Sequence, residues 1–275
     1  MNTMVKRILL VAFSLCIAWL CYAGDTIRVL CIGNSFSMDA VEQYLWEMAH
    51  ADDVELIIGD AYYPGCSLEQ HVTFHTKDTA AYTYNKIVNG TKTSQKQVTL
   101  AMILRDENWD YVSLQQASHF SGQPDTFEPW LTRLIDTVTR YCPDTKLIWH
   151  MTWAYQQNTP HRQFYLYDNL QTTMYQAILN CVNTVVKSHQ FALIVPVGMA
   201  IQNARESKLG DTFCRDGFHL QKTYGRYTAA CTWFEALTGL NSIENTYKPD
   251  DVSYEEMYIC QRAAHKAMTK MRTNK

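Results

Sequence analysis

The stretch Thr26-Ile27-Arg28-Val29-Leu30-Cys31-Ile32-Gly33-Asn34-Ser35-Phe36-Ser37 joins an apolar run of strand length, a glycine stop and a serine-rich entry into a helix. From Met38 to Ala51 the spacing turns helical: Val41, Leu45, Met48 and Ala49 share one face, and Gln43 and Glu47 point away from it. A strand that passes through one glycine into a helix opens a βα unit. The unit then recurs. Val54 to Ile58 reads as a second strand, ended by Tyr63-Pro64-Gly65; Tyr111 to Leu114, Lys146 to Met151 and Phe191 to Val197 read as three more. Helical patterns cover Phe127 to Tyr141, Phe164 to Lys187, Lys222 to Leu237 and Tyr254 to Met271. Strands alternating with helices predict an α/β fold whose mostly parallel, five-stranded sheet is covered on both faces. Tyr82 to Val88 and Thr91 to Val98 flank Asn89-Gly90, a pair suited to a type I′ turn, and predict a hairpin insertion.

Working outward, residues 1–23 carry an address. Lys6 and Arg7 precede the apolar run Ile8 to Cys21, too short to span a bilayer comfortably, and Cys21 and Ala23 place small residues at a cleavage site. A signal peptide cut after Ala23 is expected, with the remainder, 24–275, one domain, exported to the periplasm or beyond and not inserted in a membrane. With 47% apolar and 19% charged residues the chain is globular in composition. A formal charge of -3, with no basic run beyond the first ten residues, argues against nucleic acid as a partner. Two of the nine cysteines, Cys16 and Cys21, leave with the signal. The other seven are widely spaced and read mainly as core residues, with room for one or two bridges in an oxidising compartment.

In a parallel sheet, ligands bind beyond the carboxyl ends of the strands. Ser35 follows the first strand and sits where helix N-terminal amides favour developing negative charge, as a nucleophile would; it equally suits a helix cap. A general base must come from elsewhere. Arg215-Asp216-Gly217-Phe218-His219 lies in a loop before the helix from Lys222, and a carboxylate three residues before a histidine can hold Nδ1–H and leave Nε2 for the serine. Glu47-x-x-His50 has the same spacing inside a helix pattern and reads as a solvated pair. His71 and His75 have the i, i+4 spacing of a helical zinc pair but lack the metalloprotease glutamate and a third ligand, so no metal and no organic cofactor is expected.

Gly33-Asn34-Ser35-Phe36 after the first strand, Gly65 after the second, and Asp216-x-x-His219 late in the chain together resemble the SGNH (GDSL-like) hydrolase superfamily. Within it, the segments Ile32 to Ser37, Leu114 to Ser118 and Asp216 to Leu220 are similar to a bacterial family of exported proteins. The resemblance implies a flavodoxin-like three-layer α/β/α sandwich and ester hydrolysis. Ser35 would be the nucleophile and, through its N–H, one oxyanion donor; Gly65 would give a second N–H; His219 would be the base, oriented by Asp216.

The chain departs from that pattern after the third strand, where the superfamily carries Gly-x-Asn-Asp and this chain has Leu114-Gln115-Gln116-Ala117-Ser118-His119. Gln115 is the candidate third oxyanion donor, ahead of Gln116; a polar strand end without catalytic role is the alternative. Asn34, Trp153 and Tyr155 are candidate substrate contacts, the two aromatics lying in the loop after the fourth strand. The function expected is a secreted serine esterase acting on a small-molecule or carbohydrate ester, with an acetyl group favoured. The alternatives are a lipase or thioesterase for longer acyl chains, or a non-catalytic carbohydrate-binding protein on the same fold.

Overall fold

The structure, a computed structural model, describes residues 26–273; the expected signal peptide lies outside them. Seven strands form one sheet: β1 (Ile27–Gly33), β2 (Leu56–Tyr62), β3 (Tyr82–Val88), β4 (Thr91–Val98), β5 (Tyr111–Leu114), β6 (Lys146–His150) and β7 (Leu193–Val195). Their order is β4-β3-β2-β1-β5-β6-β7. β2, β1, β5, β6 and β7 run parallel. Numbered among themselves these five have the order 2-1-3-4-5, the flavodoxin-like winding.

The sheet has seven strands and not five because the hairpin does not stand apart as an insertion. β3 pairs antiparallel with β2, Ile58 opposite Ile87, and β4 closes the edge. Asn89 and Gly90 both have positive φ, 50° and 69°, as a type I′ turn requires. β4, Thr91 to Val98, is exposed along all but its last residue and carries Lys92 and Lys96, a polar edge that discourages further pairing.

The helices are α1 (Ser35–Val41), α2 (Leu45–Ala51), α3 (Leu68–Thr76), α4 (Leu100–Leu104), α5 (Trp130–Tyr141), α6 (Gln171–Thr184), α7 (Val197–Arg205), α8 (Tyr224–Thr238) and α9 (Tyr254–Thr273). α1 and α2 pack with α8, and α8 with α7 and α9; α3, α4 and α5 pack with one another. α8 is buried through most of its length, which accounts for an apolar composition too even to show a strong helical stripe.

Two expected helices are broken. Met38 to Ala51 divides into α1 and α2 because Tyr44 takes φ 73° and sends its hydroxyl to the Lys222 carbonyl at 2.8 Å. Phe164 to Lys187 divides at Asp168 and Asn169, φ 57° and 55°, into a 3-10 turn at Arg162–Tyr167 and α6. The last parallel strand is shorter than expected, since Pro196 caps it and α7 begins at Val197. All seven described cysteines are buried and free, so none of the bridges allowed for above forms among them. No helix among the described residues is long and apolar enough to cross a membrane.

Candidate active site

β1 lies centrally, paired with β2 on one side and β5 on the other. The chain leaves it to one flank and later returns to the other, so the carboxyl end of β1 sits at a topological switch point, where crevices form. Asn34 is the first residue past β1 and caps α1: its Oδ1 accepts from the Phe36 N–H at 3.0 Å. Ser35 is then the first residue of α1, and its N–H has no carbonyl one turn back to bond within the helix. A serine in this stretch was open to two readings, cap or nucleophile. The cap is Asn34, which leaves the Ser35 hydroxyl for other work.

That hydroxyl donates to His219 Nε2 at 2.8 Å. His219 Nδ1 in turn lies 2.6 Å from Asp216 Oδ2. A carboxylate can only accept there, so Nδ1 carries the proton and Nε2 presents its lone pair to Ser35. Asp216 Oδ1 also accepts from the Phe218 and His219 N–H groups, at 3.2 and 2.8 Å. Burial alone would raise the Asp216 pKa. The hydrogen bonds from the His219 ring and from the two N–H groups, with the imidazole's charge, outweigh it and hold the carboxyl below its usual range.

The loop that presents Asp216 and His219 is tightly tied. Cys214 and Leu220 form a bridge across it, and the Arg215 N–H donates to the His219 carbonyl at 2.8 Å. At Gly217 φ is 90° and a Cβ would meet Thr159 at 2.7 Å, so only glycine lets the loop lie this close; the Gln156 N–H donates to its carbonyl at 2.8 Å. Asp39, on α1, is wholly buried and pairs with both Arg215 and Arg226.

Gly65 lies at the third position of a turn from Tyr63 to Cys66, closed by the Cys66 N–H on the Tyr63 carbonyl at 3.2 Å. Proline at the second position and φ 62° at Gly65 are the marks of a type II turn. Together with Asn34, Ser35, Phe36, Tyr62, Pro64, Ser118, His119, His161, Gln163, Phe218 and His219, Gly65 lines a cleft of about 280 Å³.

Gln115 is not in that lining. Its amide nitrogen donates to Asn34 Oδ1 at 2.8 Å, its oxygen sits 2.9 Å from His150 Nδ1, and 1% of it is exposed. The strand end turns this side chain inward, behind Asn34, where it holds the cap and does not face the cleft. Asn34 itself is held on both sides, since its Nδ2 donates to the Cys66 carbonyl at 3.0 Å. Gln116 is likewise spent: its oxygen accepts from the Leu68 and Ala117 N–H groups at 3.1 and 2.8 Å, and its nitrogen donates to the Thr126 carbonyl at 2.9 Å.

Trp153 and Tyr155 are fully buried and do not line the cleft. They brace it from beneath. The Trp153 ring stacks on Phe36 at 4.2 Å and its Nε1 donates to the Phe218 carbonyl at 2.7 Å, so one indole supports the neighbours of both Ser35 and His219. The Tyr155 hydroxyl meets Ser118 Oγ at 2.8 Å and His161 Nε2 at 3.3 Å.

His71 is wholly buried. Its Nδ1 is 2.8 Å from the Tyr82 hydroxyl, and burial lowers its pKa to about 3. His75 packs instead against Tyr141. Among the described residues no group of three or more His, Cys, Asp or Glu is arranged to hold a metal ion.

The sequence reading passed over His119, His161 and Gln163 in the cleft, and Asp39 and Arg226 behind it. Arg215 was quoted only as a neighbour of Asp216. His119 closes the polar stretch Gln115 to His119 that follows β5, and a histidine in the loop beyond a strand's carboxyl end is the signal that marks it.

Fold and site together define an α/β protein of flavodoxin-like winding with a serine–histidine–aspartate constellation at the carboxyl edge of its sheet. The chain belongs to the family described as a domain of unknown function, DUF4886, whose model matches residues 28–267. It is similar to a DUF4886 family protein from Bacteroides uniformis ATCC 8492, known from a crystal structure, at 46% identity and a TM-score of 0.87, over 89% of this chain and 95% of that one. Far more distant are a family 3 carbohydrate esterase from Clostridium thermocellum (13% identity, TM-score 0.48, 77% and 95% covered) and a putative GDSL-like lipase from Parabacteroides merdae ATCC 43184 (13%, 0.46, 77% and 95%). Comparison with curated proteins gives no match.

Proposed function

We propose that this chain is an exported serine hydrolase of the SGNH type that cleaves small acyl esters, an acetyl ester on a carbohydrate foremost. The observation that carries the reading is the continuous hydrogen-bonded line Ser35 Oγ–His219 Nε2, His219 Nδ1–Asp216 Oδ2, at 2.8 and 2.6 Å, opening on a cleft. Neutral His219 takes the Ser35 proton as Oγ attacks the ester carbonyl, and Asp216 stabilises the imidazolium that results. Negative charge then gathers on the carbonyl oxygen. The Ser35 N–H at the start of α1 and the Gly65 N–H in its turn are the donors this reading assigns to it. His219 returns the proton to the departing alcohol, and water repeats the cycle on the acyl-enzyme.

A cleft of about 280 Å³ suits a short acyl group better than a long chain. The decisive experiment is labelling by a fluorophosphonate probe with the adduct mapped by mass spectrometry, beside turnover of a small acetyl ester. Modification at Ser35, lost in Ser35→Ala and His219→Ala, is the expected result. An unlabelled Ser35 in a folded protein that also fails to turn over the ester would overturn the reading in favour of a binding protein.

A further inference from the structure

Apart from Tyr62, the hydrogen-bonding side chains of the cleft outside the triad divide into two sets. Asn34, Ser118 and His161 are spent within the protein. The Asn34 amide is held by Phe36, Gln115 and Cys66, and the Ser118 hydroxyl by Tyr155. The His161 ring accepts from the Gln163 N–H at Nδ1 and meets the Tyr155 hydroxyl at Nε2, both at 3.3 Å.

His119 and Gln163 are different. Neither the His119 ring nor the Gln163 side-chain amide takes a hydrogen bond from any described residue, and both line the cleft with Ser35 and His219. His119 is nonetheless fixed in place. The Tyr167 hydroxyl donates to its carbonyl at 2.9 Å, and its ring lies against Phe120 and His161, centroids 4.1 and 5.9 Å away. Polar groups left without partners inside a cleft, one of them held in position, are set for a ligand's polar groups.

The character of those groups limits the ligand. Burial, and then the neighbouring His161, lower the His119 pKa to about 4, so near neutral pH the ring offers one N–H and one lone pair. The Gln163 amide also offers a donor and an acceptor. A hydroxyl is itself donor and acceptor, so adjacent hydroxyls match both side chains. Among the described residues no lysine or arginine lines the cleft, so a phosphate or carboxylate on the alcohol would enter without an ion pair from them. Phe218, beside His219, adds an apolar ring against which the C–H face of a sugar can lie.

We infer that His119 and Gln163 recognise the alcohol half of the substrate, binding neighbouring hydroxyls of a neutral sugar, and so set the specificity of the site. The inference rests on the esterase reading for the ester bond itself, but the recognition it describes does not require turnover.

The test compares a mono-O-acetylated methyl glucoside with phenyl acetate, whose alcohol bears no further hydroxyl. His119→Ala is expected to lower the ratio of kcat/KM for the glucoside to that for phenyl acetate about tenfold, chiefly through the glucoside's KM. Turnover of phenyl acetate by the same variant reports that the triad is still assembled. His119→Gln, which keeps a donor and an acceptor, should recover most of the ratio, and Gln163→Ala should lower it as His119→Ala does. A ratio that stays within twofold of wild type in both alanine variants overturns the inference.

Binding separates this from failure of the esterase reading. In a Ser35→Ala background the intact acetylated glucoside is titrated by calorimetry, with and without His119→Ala. Affinity that falls about tenfold supports recognition by His119 even in a protein that hydrolyses neither ester. Affinity that is equal in the two proteins, or absent from both, overturns it.

Discussion

Asp39 and Arg215 form a 2.8 Å ion pair whose carboxylate is wholly shut off from solvent. Asp39 lies four residues after Ser35 on α1, and Arg215 immediately precedes Asp216. The pair therefore ties the helix behind the nucleophile to the loop that carries the base and its carboxylate. Arg226, from α8, binds the other oxygen of Asp39. Chain segments almost two hundred residues apart in sequence are thereby held in register.

Removing Asp39 leaves two guanidiniums facing a buried gap. Loss of one partner of a buried pair costs about 3–5 kcal/mol, and the partial exposure of Arg215 puts the expected loss toward the lower end. Asp39→Ala should show it in urea unfolding, with a fall in kcat measured under conditions where the variant is still folded. A loss below about 1 kcal/mol would mean that the pair contributes little to the fold.

Ser35, His219 and Asp216 should behave as a unit. Ser35→Ala or His219→Ala alone should lower kcat for a small acetyl ester by about 10⁴ or more, and the double variant should be scarcely worse than either. Losses that multiply would show the two acting independently. Asp216→Asn should keep the fold but cut kcat by a comparable factor, because an amide at that position can no longer hold Nδ1–H in place for catalysis.

His71 should make stability depend on pH. Its folded pKa, near 3, lies below the value of about 6.5 it takes in the unfolded chain. Between those values the unfolded chain binds a proton that the folded one does not, so this group's contribution falls as the pH drops. The slope for one such group is about 1.4 kcal/mol per pH unit. His71→Asn removes the group, so its urea-derived stability between pH 4.5 and 6 should fall less steeply than wild type by that amount. Equal slopes would show that His71 titrates alike in both states. Comparing slopes cancels His150, also lowered by burial to about 3, and Asp60, which burial beside Glu42 raises and which acts in the opposite sense.

The parallel strands and the hairpin were legible because periodicity and turn chemistry are local. Asn89-Gly90 announces its turn, and the run Val29 to Ile32 is apolar because that part of β1 is covered on both faces. The hairpin's docking on β2 was not legible, since Ile58 opposite Ile87 is a pairing between segments that local pattern does not encode. The break at Tyr44 depends on a hydroxyl reaching Lys222 across the fold. In the site, the order of Ser35 and Asp216-x-x-His219 pointed to residues the fold does bring together. Which way Gln115, Trp153 and Tyr155 face depends on side-chain direction at a strand end or in a loop, and there the three turn inward.

Gln115 gives the sharpest test of that inward turn. Had its amide faced the cleft, it would stand as an oxyanion donor, and its loss would cost about 10²–10³ in kcat with the fold untouched. The structure instead joins its nitrogen to Asn34 Oδ1 and its oxygen to His150, both buried. Asn34 then bridges the two assigned donors: Oδ1 caps the helix that begins at Ser35, and Nδ2 holds the carbonyl of Cys66, the residue after Gly65. Gln115→Ala should therefore lower stability by about 1–3 kcal/mol, because His150 and Asn34 lose a buried partner, and should lower kcat only about tenfold, through a loosened Asn34. Asn34→Asp separates the two bonds, since it keeps the cap acceptor and loses the donor to Cys66. It should lower kcat more than Gln115→Ala does, with little change in the KM of a small acetyl ester. Gln116→Ala, which strips partners from Leu68, Ala117 and Thr126, should cost stability with the smallest effect on kcat. A loss of 10² or more in kcat from Gln115→Ala at unchanged stability would contradict this order, and would mean that its amide swings out to the cleft when substrate binds.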